Sequence, residues 1–189
     1  MAQDGFWGGS AGALVDPKRS FRWLISFGDR SNDIKSWYAK SASKPSYQVG
    51  KTTHQFLNHS FHYPGRVEWQ EISVTLVDPA RGNDSSLALV DSLQKAGYYI
   101  PINENNASFT ITKAEAVGAA GNQVFLDQLG SDQSDIIERW TLWNPWIKDV
   151  NFGSLDYSTE DMVQVELTLV YDYATITAGV PTRTLPESV

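Results

Sequence analysis

The chain has 189 residues, with 15 Lys plus Arg against 22 Asp plus Glu and a net charge of −7. That length suits one compact domain with arms, and the acidic balance disfavours a binder that grips phosphates with clustered cations. There is no cysteine, which excludes disulfides, thiolate catalysis and Cys-based zinc sites.

Residues 1–16 (MAQDGFWGGSAGALVD) are rich in Gly and Ala. They lack the basic start and the apolar run of a secretory signal, and no 18-residue apolar window spans a membrane. They read as an arm, with Phe6, Trp7, Leu14 and Val15 as its candidate docking contacts. Phe21, Trp23, Ile25 and Phe27 alternate with Arg22, Leu24 and Ser26, which is the period of a strand. A turn at 28–33 leads to a second strand over 34–41, interrupted at Lys44-Pro45 because proline removes a ladder donor. Polar strands over 46–50 and 56–63 are expected to flank Lys51-Thr52-Thr53 as a long hairpin, with Pro64-Gly65 as a turn.

Val67 to Val77 reads as one strong strand, closed by Asp78-Pro79. A helix of about 13 residues follows. Asn83 or Asp84 would cap it, Lys95 suits its negative end and Gly97 stops it. Leu87, Val90 and Leu93 recur at helical spacing, with Leu89 and Ala96 beside them. Residues 98–121 read as an insertion, with a helical turn over 114–120. Segments 123–129 and 135–144 form a hairpin. Trp143-Asn144-Pro145-Trp146 locks a corner between two sheets, since proline fixes φ. Residues 147–152 read as a helical turn. Met162 to Tyr173 (MVQVELTLVYDY) is the cleanest strand, apolar on one face and polar on the other. The tail from Ala174 carries little core potential. About eight strands in runs, with one central helix, predict a mainly β fold: two packed antiparallel sheets, sandwich or barrel, with a flanking helix.

Chemistry-bearing motifs are absent. His54, His59 and His62 are close in sequence, but 54 and 59 differ in parity and would leave one strand on opposite faces. Acids cluster near 127–135 and 149–161 without the Gly-centred calcium loop, and there is no nucleophile elbow or phosphate loop. The chain therefore reads as no enzyme and as needing no cofactor or metal. The tryptophans Trp69, Trp140, Trp143 and Trp146 read as core and corner packing; a carbohydrate-binding sandwich that uses exposed Trp is the other reading.

The segment ERWTLWNPWIKDVNFGSLDYSTEDMVQVELTLVYDYATI resembles the end of the tail tube proteins of contractile-tailed bacteriophages. The likeness rests on the Trp143 to Pro145 corner, the Leu155-Asp156 pair and the alternating strand from Val163 to Tyr173. FRWLISFGD, KSASKPSYQVG and HYPGRVEWQEISVTLVDPA extend it over roughly 18–175. The resemblance implies a structural virion protein: hexameric rings stacked into a hollow tube, within a contractile sheath, that delivers DNA into the host. Type VI secretion tubes and injection particles share the fold. It implies an N-terminal arm (1–16), a tube domain (17–175) and a C-terminal arm (176–189). Implied partners are further copies, the sheath, baseplate and tail terminator proteins, and a tape-measure protein and DNA in the lumen without specific binding, with no membrane anchor. The implied place is the virion tail, assembled in the host cytoplasm. A tube-initiator or baseplate ring of the same fold is the alternative.

Carried over by element, the hairpin with Tyr47, Val49, Lys51, Thr52, Thr53, Phe56 and Phe61 bridges to the next ring. Leu87, Val90 and Leu93 mark an outer helix near the sheath. Glu71, Glu166 and Asp172 are the candidate lumen acids, which would keep DNA from adhering.

Overall fold

A computed structural model describes residues 17–28, 38–79, 85–98, 110–130, 135–158 and 160–180. The expected arm contacts Phe6, Trp7, Leu14 and Val15 lie outside the described residues. Ten strands and two helices occur among those described: β1 (Trp23–Phe27), β2 (Ala39–Ala42), β3 (Tyr47–Phe56), β4 (His59–Trp69), β5 (Ile72–Val77), α1 (Ser85–Lys95), α2 (Lys113–Ala119), β6 (Gln123–Leu129), β7 (Ile136–Trp143), β8 (Trp146–Asn151), β9 (Gln164–Val170) and β10 (Tyr173–Val180).

Two four-stranded antiparallel sheets, β1-β6-β7-β10 and β2-β5-β9-β8, pack face to face, and β3-β4 forms a separate ribbon. The core follows from alternation. Ile72, Val74 and Leu76 of β5 and Val165, Leu167 and Leu169 of β9 point inward from one sheet; Ile25, Phe27, Val124, Leu126 and Leu142 point inward from the other. Burying these side chains drives the sheets together. Neither sheet closes on itself, so the fold is an open sandwich rather than a barrel.

The predicted pairing of 123–129 with the following strand is observed, from Gln123↔Trp143 to Leu129↔Ile136. Four assignments are corrected. The stretch from Val67 to Val77 breaks at Gln70-Glu71, ending the ribbon at Trp69 and starting β5 at Ile72. The strand from Met162 to Tyr173 bends at Tyr171-Asp172, and the chain after it is strand β10 rather than an inert tail. Ala174, in β10, is buried, and the sheet runs to Val180 inside the segment assigned to a C-terminal arm. Residues 146–151 are β8, not a helical turn: pairing with β9 overrides the weak local pattern. The helical turn within 98–121 is α2, capped by Thr112, whose hydroxyl accepts from the Glu115 N–H and donates to Glu115 Oε2 at 2.7 Å.

The chain changes sheet at two corners that touch. Asn144-Pro145 carries it from β7 to β8, and Tyr171-Asp172 from β9 back to β10. The Asp172 N–H donates to the Trp143 carbonyl at 3.0 Å. Asn144 Nδ2 donates to Asp172 Oδ2 at 2.9 Å, with Asn144 in the left-handed region at φ 51°. Trp143 stacks on Tyr173 at 5.9 Å and its Nε1 donates to Thr175 Oγ1. The sequence reading of this tetrapeptide as an inter-sheet corner holds.

Gly28 ends β1 at φ 25°, where an added Cβ would lie 1.9 Å from the Gly121 carbonyl oxygen. Gly28→Ala is therefore expected to destabilise the chain by more than about 1 kcal/mol, read as a lower denaturation midpoint; an unchanged midpoint would refute this close approach.

Candidate functional site

The β3–β4 ribbon is the most exposed element described: every residue from Tyr47 to Glu68 in its strands is open to solvent, and only Trp69 at its base is half-buried. Its turn is Leu57-Asn58, with Leu57 at φ 52°. This moves Lys51, Thr52 and Thr53 from the expected hairpin tip to the middle of β3, paired with Pro64, Tyr63 and His62. Pro64-Gly65 is likewise no turn: it lies within β4.

The ribbon carries a bulge. Val49 pairs with Val67 but Lys51 with Pro64, so Gly65 and Arg66 together oppose Gly50. A Cβ on Gly65 would stand 3.0 Å from the Gly50 carbonyl oxygen, which is why the crossing holds two glycines. One extra residue in one strand exchanges its faces beyond that point. At the base, Tyr47, Val49, Val67 and Trp69 share a face, and Trp69 packs on Tyr47 and on Tyr171 of the sandwich. Beyond the bulge that face carries Lys51, Pro64, Thr53 and His62, while Phe56, Phe61 and Tyr63 occupy the other. His54 and His59, on neighbouring strands, fall on the aromatic face and His62 on the polar one. The parity argument fails for 54 and 59 because the turn separates them.

The ribbon's root is held by a buried carboxylate. Glu138 of β7 accepts from Lys18 Nζ, from Lys44 Nζ at 3.0 Å and from Trp140 Nε1 at 2.7 Å. Beside it, Gln128 Nε2 donates to the carbonyls of Arg19 and Arg22. These contacts fix both the entry of the chain at 17–22 and the connector into β3. The bond from Lys18 is the chief reason that the Glu138 carboxyl titrates at about 2, with Lys44 and Trp140 adding to it against the cost of burial.

Helix α1 begins on a carboxylate supplied by β5's end. Asp78 Oδ1 accepts from the N–H groups of Ser85 and Ser86, and its Oδ2 from the Ser86 hydroxyl. The expected caps Asn83 and Asp84 lie outside the described residues. This anchor turns Ser85, Leu89 and Ser92 to the sandwich and leaves Leu87, Val90 and Leu93 exposed. Val90 and Leu93 line an apolar groove of about 600 Å³ with Ile111, Ala116, Trp146 and Phe152.

The candidate lumen acids do not converge. Glu71, just before β5, receives Lys148 Nζ at 2.5 Å. Asp172, at a corner, holds Lys113 Nζ at 2.7 Å and Asn144, and Lys113 is the main cause of its lowered pKa. Glu166 is exposed on the outer face of its sheet, opposite Thr75 and Asn151. A further pair escaped the sequence reading: Arg139 grips the buried Asp127 through two hydrogen bonds at 2.6 and 2.8 Å and lies over the Phe125 ring. Alternation signals such pairs once the register of β6 and β7 is known. Among the described residues no three His, Asp or Glu side chains are gathered to hold a metal, and no helix is long and apolar enough to cross a membrane.

The open sandwich with its two sheet-switching corners and projecting ribbon is similar in fold to chains of contractile injection systems. Similar solved chains come from the anti-feeding prophage tube-terminating cap (TM-score 0.66, 15% identity, covering 90% of this chain and 97% of that one) and from a sheath/tube terminator of an extracellular contractile injection system (0.64, 16%, 88% and 100%). A third comes from the sheath–tube complex of such a system (0.56, 17%, 86% and 92%). The resemblance drawn from the sequence is thus borne out at the level of the fold. No protein-family model and no curated protein sequence matches the chain.

The depressed Glu138 pKa has a definite sign. A carboxyl that titrates near 2 in the folded chain and near 4.5 when unfolded contributes stability that is complete above pH 4.5 and lost as pH falls toward 2. Glu138→Gln should cost about 1–3 kcal/mol at pH 7, discounted for the half-exposed lysines. The deficit should shrink in urea melts at pH 3; a pH-independent deficit would refute the ionic role.

Proposed function

We propose that this chain is a structural protomer of hexameric rings that stack into the hollow tail tube of a contractile phage particle, with DNA passing through the lumen. The observation that carries the reading is the pair of open sheets beside a ribbon with almost no contact to its own sandwich. Each sheet pairs its outermost strands, β1 and β10 or β2 and β8, on one side only among the described residues. Open edges invite pairing with another chain. A ring of copies covers them in closed symmetry. The ribbon, exposing Tyr47, Val49, Phe56 and Phe61, supplies a contact along the stack, as do the N-terminal arm at 1–16 and the chain after Val180.

In this assembly Leu87, Val90 and Leu93 of α1 face outward to the sheath. Baseplate and terminator proteins close the ends, and a tape-measure protein fills the lumen before DNA. Of the three candidate acids, Glu71 and Asp172 are neutralised by lysines, which leaves Glu166 as the lumen acid of this reading. The role is mechanical, with no catalysis or cofactor, and the protein resides in the virion tail.

A second reading is favoured by one observation: the similarity is higher to chains of the cap and terminator assemblies than to the sheath–tube complex. It makes the chain a ring that sits once, at a tube end. Electron microscopy of the purified protein separates the two, since hollow tubes support the first and single rings the second; a monomer at high concentration overturns both. Removing Thr52, Thr53, His62 and Tyr63 shortens the ribbon by two paired rungs without changing register. Tubes should then shorten or vanish while far-ultraviolet circular dichroism stays close to that of the parent chain. Unchanged tube length would refute the ribbon's part in stacking.

A further inference from the structure

The ribbon and the β8–β9 loop are complementary surfaces. Between Lys51 and Arg66 the ribbon has two cations, three histidines and no acid. Beyond the bulge its aromatic face carries Phe56, Phe61 and Tyr63, with Leu57 at the tip 88% exposed. This is the face opposite the one that packs on the sandwich through Trp69, and among the described residues its apolar surface has no partner in the sandwich.

The loop after β8 has the reverse charge. From Phe152 to Val163 it carries Asp156, Glu160 and Asp161 and no Lys or Arg. All three acids are exposed. Among them stand exposed apolar side chains: Leu155 at 88%, Met162 and Tyr157. Phe152, also exposed, joins this loop to the apolar groove behind α1 and β8. Two patches that are apolar at the centre and opposite in charge meet the demands of a specific contact: desolvated anchors for affinity and charge for orientation. Because the patches lie on different elements, a head-to-tail arrangement of copies lets the contact propagate from copy to copy.

We propose that the distal half of the ribbon of one copy docks on the β8–β9 loop and the adjoining groove mouth of a second copy, with Phe56, Leu57 and Phe61 against Phe152, Leu155 and Met162, and Arg66 at the bulge toward Asp156, Glu160 and Asp161. This rests on the ring-and-stack reading and names the acceptor surface within it.

The absence of native cysteine permits a clean test. Phe56→Cys and Leu155→Cys are made in separate chains and mixed under mild oxidation. Disulfide-linked heterodimers should exceed by about tenfold those formed when Phe56→Cys is mixed with Ser73→Cys, on the outer face of β5; equal yields overturn the contact. In parallel, Arg66→Glu should reduce the assembled fraction about tenfold, as loss of charge pairing does. The added changes Asp156→Lys and Asp161→Lys should restore it. Assembly that survives the reversal, or is lost and not restored in chains that keep the parent's circular dichroism, overturns the contact. A parent chain that forms no assembly, and gives no cross-link above the control, overturns instead the ring-and-stack reading on which the contact rests.

Discussion

The structure depends on two touching corners at which consecutive strands pass between sheets. The β7–β8 and β9–β10 corners are joined by the Asp172 N–H to Trp143 carbonyl bond and by Asn144 to Asp172. They determine which sheet each of four strands enters, and hence which side chains meet in the core. Leu142 and Ala174 are brought opposite each other in one sheet because the corners set that register. Val165, Leu167 and Leu169 then face them from the other. A polar contact of modest net energy thereby organises a much larger apolar burial.

From this sandwich one element departs. The ribbon leaves β2 after Lys44-Pro45 and re-enters as β5, and its root is tied down by Glu138 and by Trp69 on Tyr171. Among the described residues, everything beyond the bulge is open to solvent. Two strands with an exposed aromatic face are marginal alone, and an apolar surface of this kind marks an interaction site. The bulge turns that surface away from the sandwich.

Charge is distributed to match. Four acids in or beside the sandwich are held by cations: Asp127 by Arg139, Glu138 by Lys18 and Lys44, Asp172 by Lys113, Glu71 by Lys148. The acids of the β8–β9 loop have no cation in their own stretch of chain. The net acidity that first spoke against a nucleic-acid binder is therefore concentrated on surfaces, where it acts on association and steering.

By itself the sequence determined the antiparallel β class, the strands with clean two-residue alternation and the inter-sheet corner at Trp143 to Trp146, because these rest on local period and on proline. It also determined that a hairpin projects after Pro45, since that stretch offers no continuous core face. Only the tertiary structure decided the rest. The turn at Leu57-Asn58 and the bulge at Gly65-Arg66 depend on cross-strand register, which no single strand encodes. The strand at 146–151 and the strand after Tyr173 are weak locally and form because a neighbouring strand pairs with them. The helix turned Leu89 inward instead of Leu87, Val90 and Leu93 because Asp78, seven residues before its first residue, fixed its start. The facing of the ribbon's aromatic side, and with it the surface open to another copy, follows from one inserted residue whose effect exists only when two strands are paired.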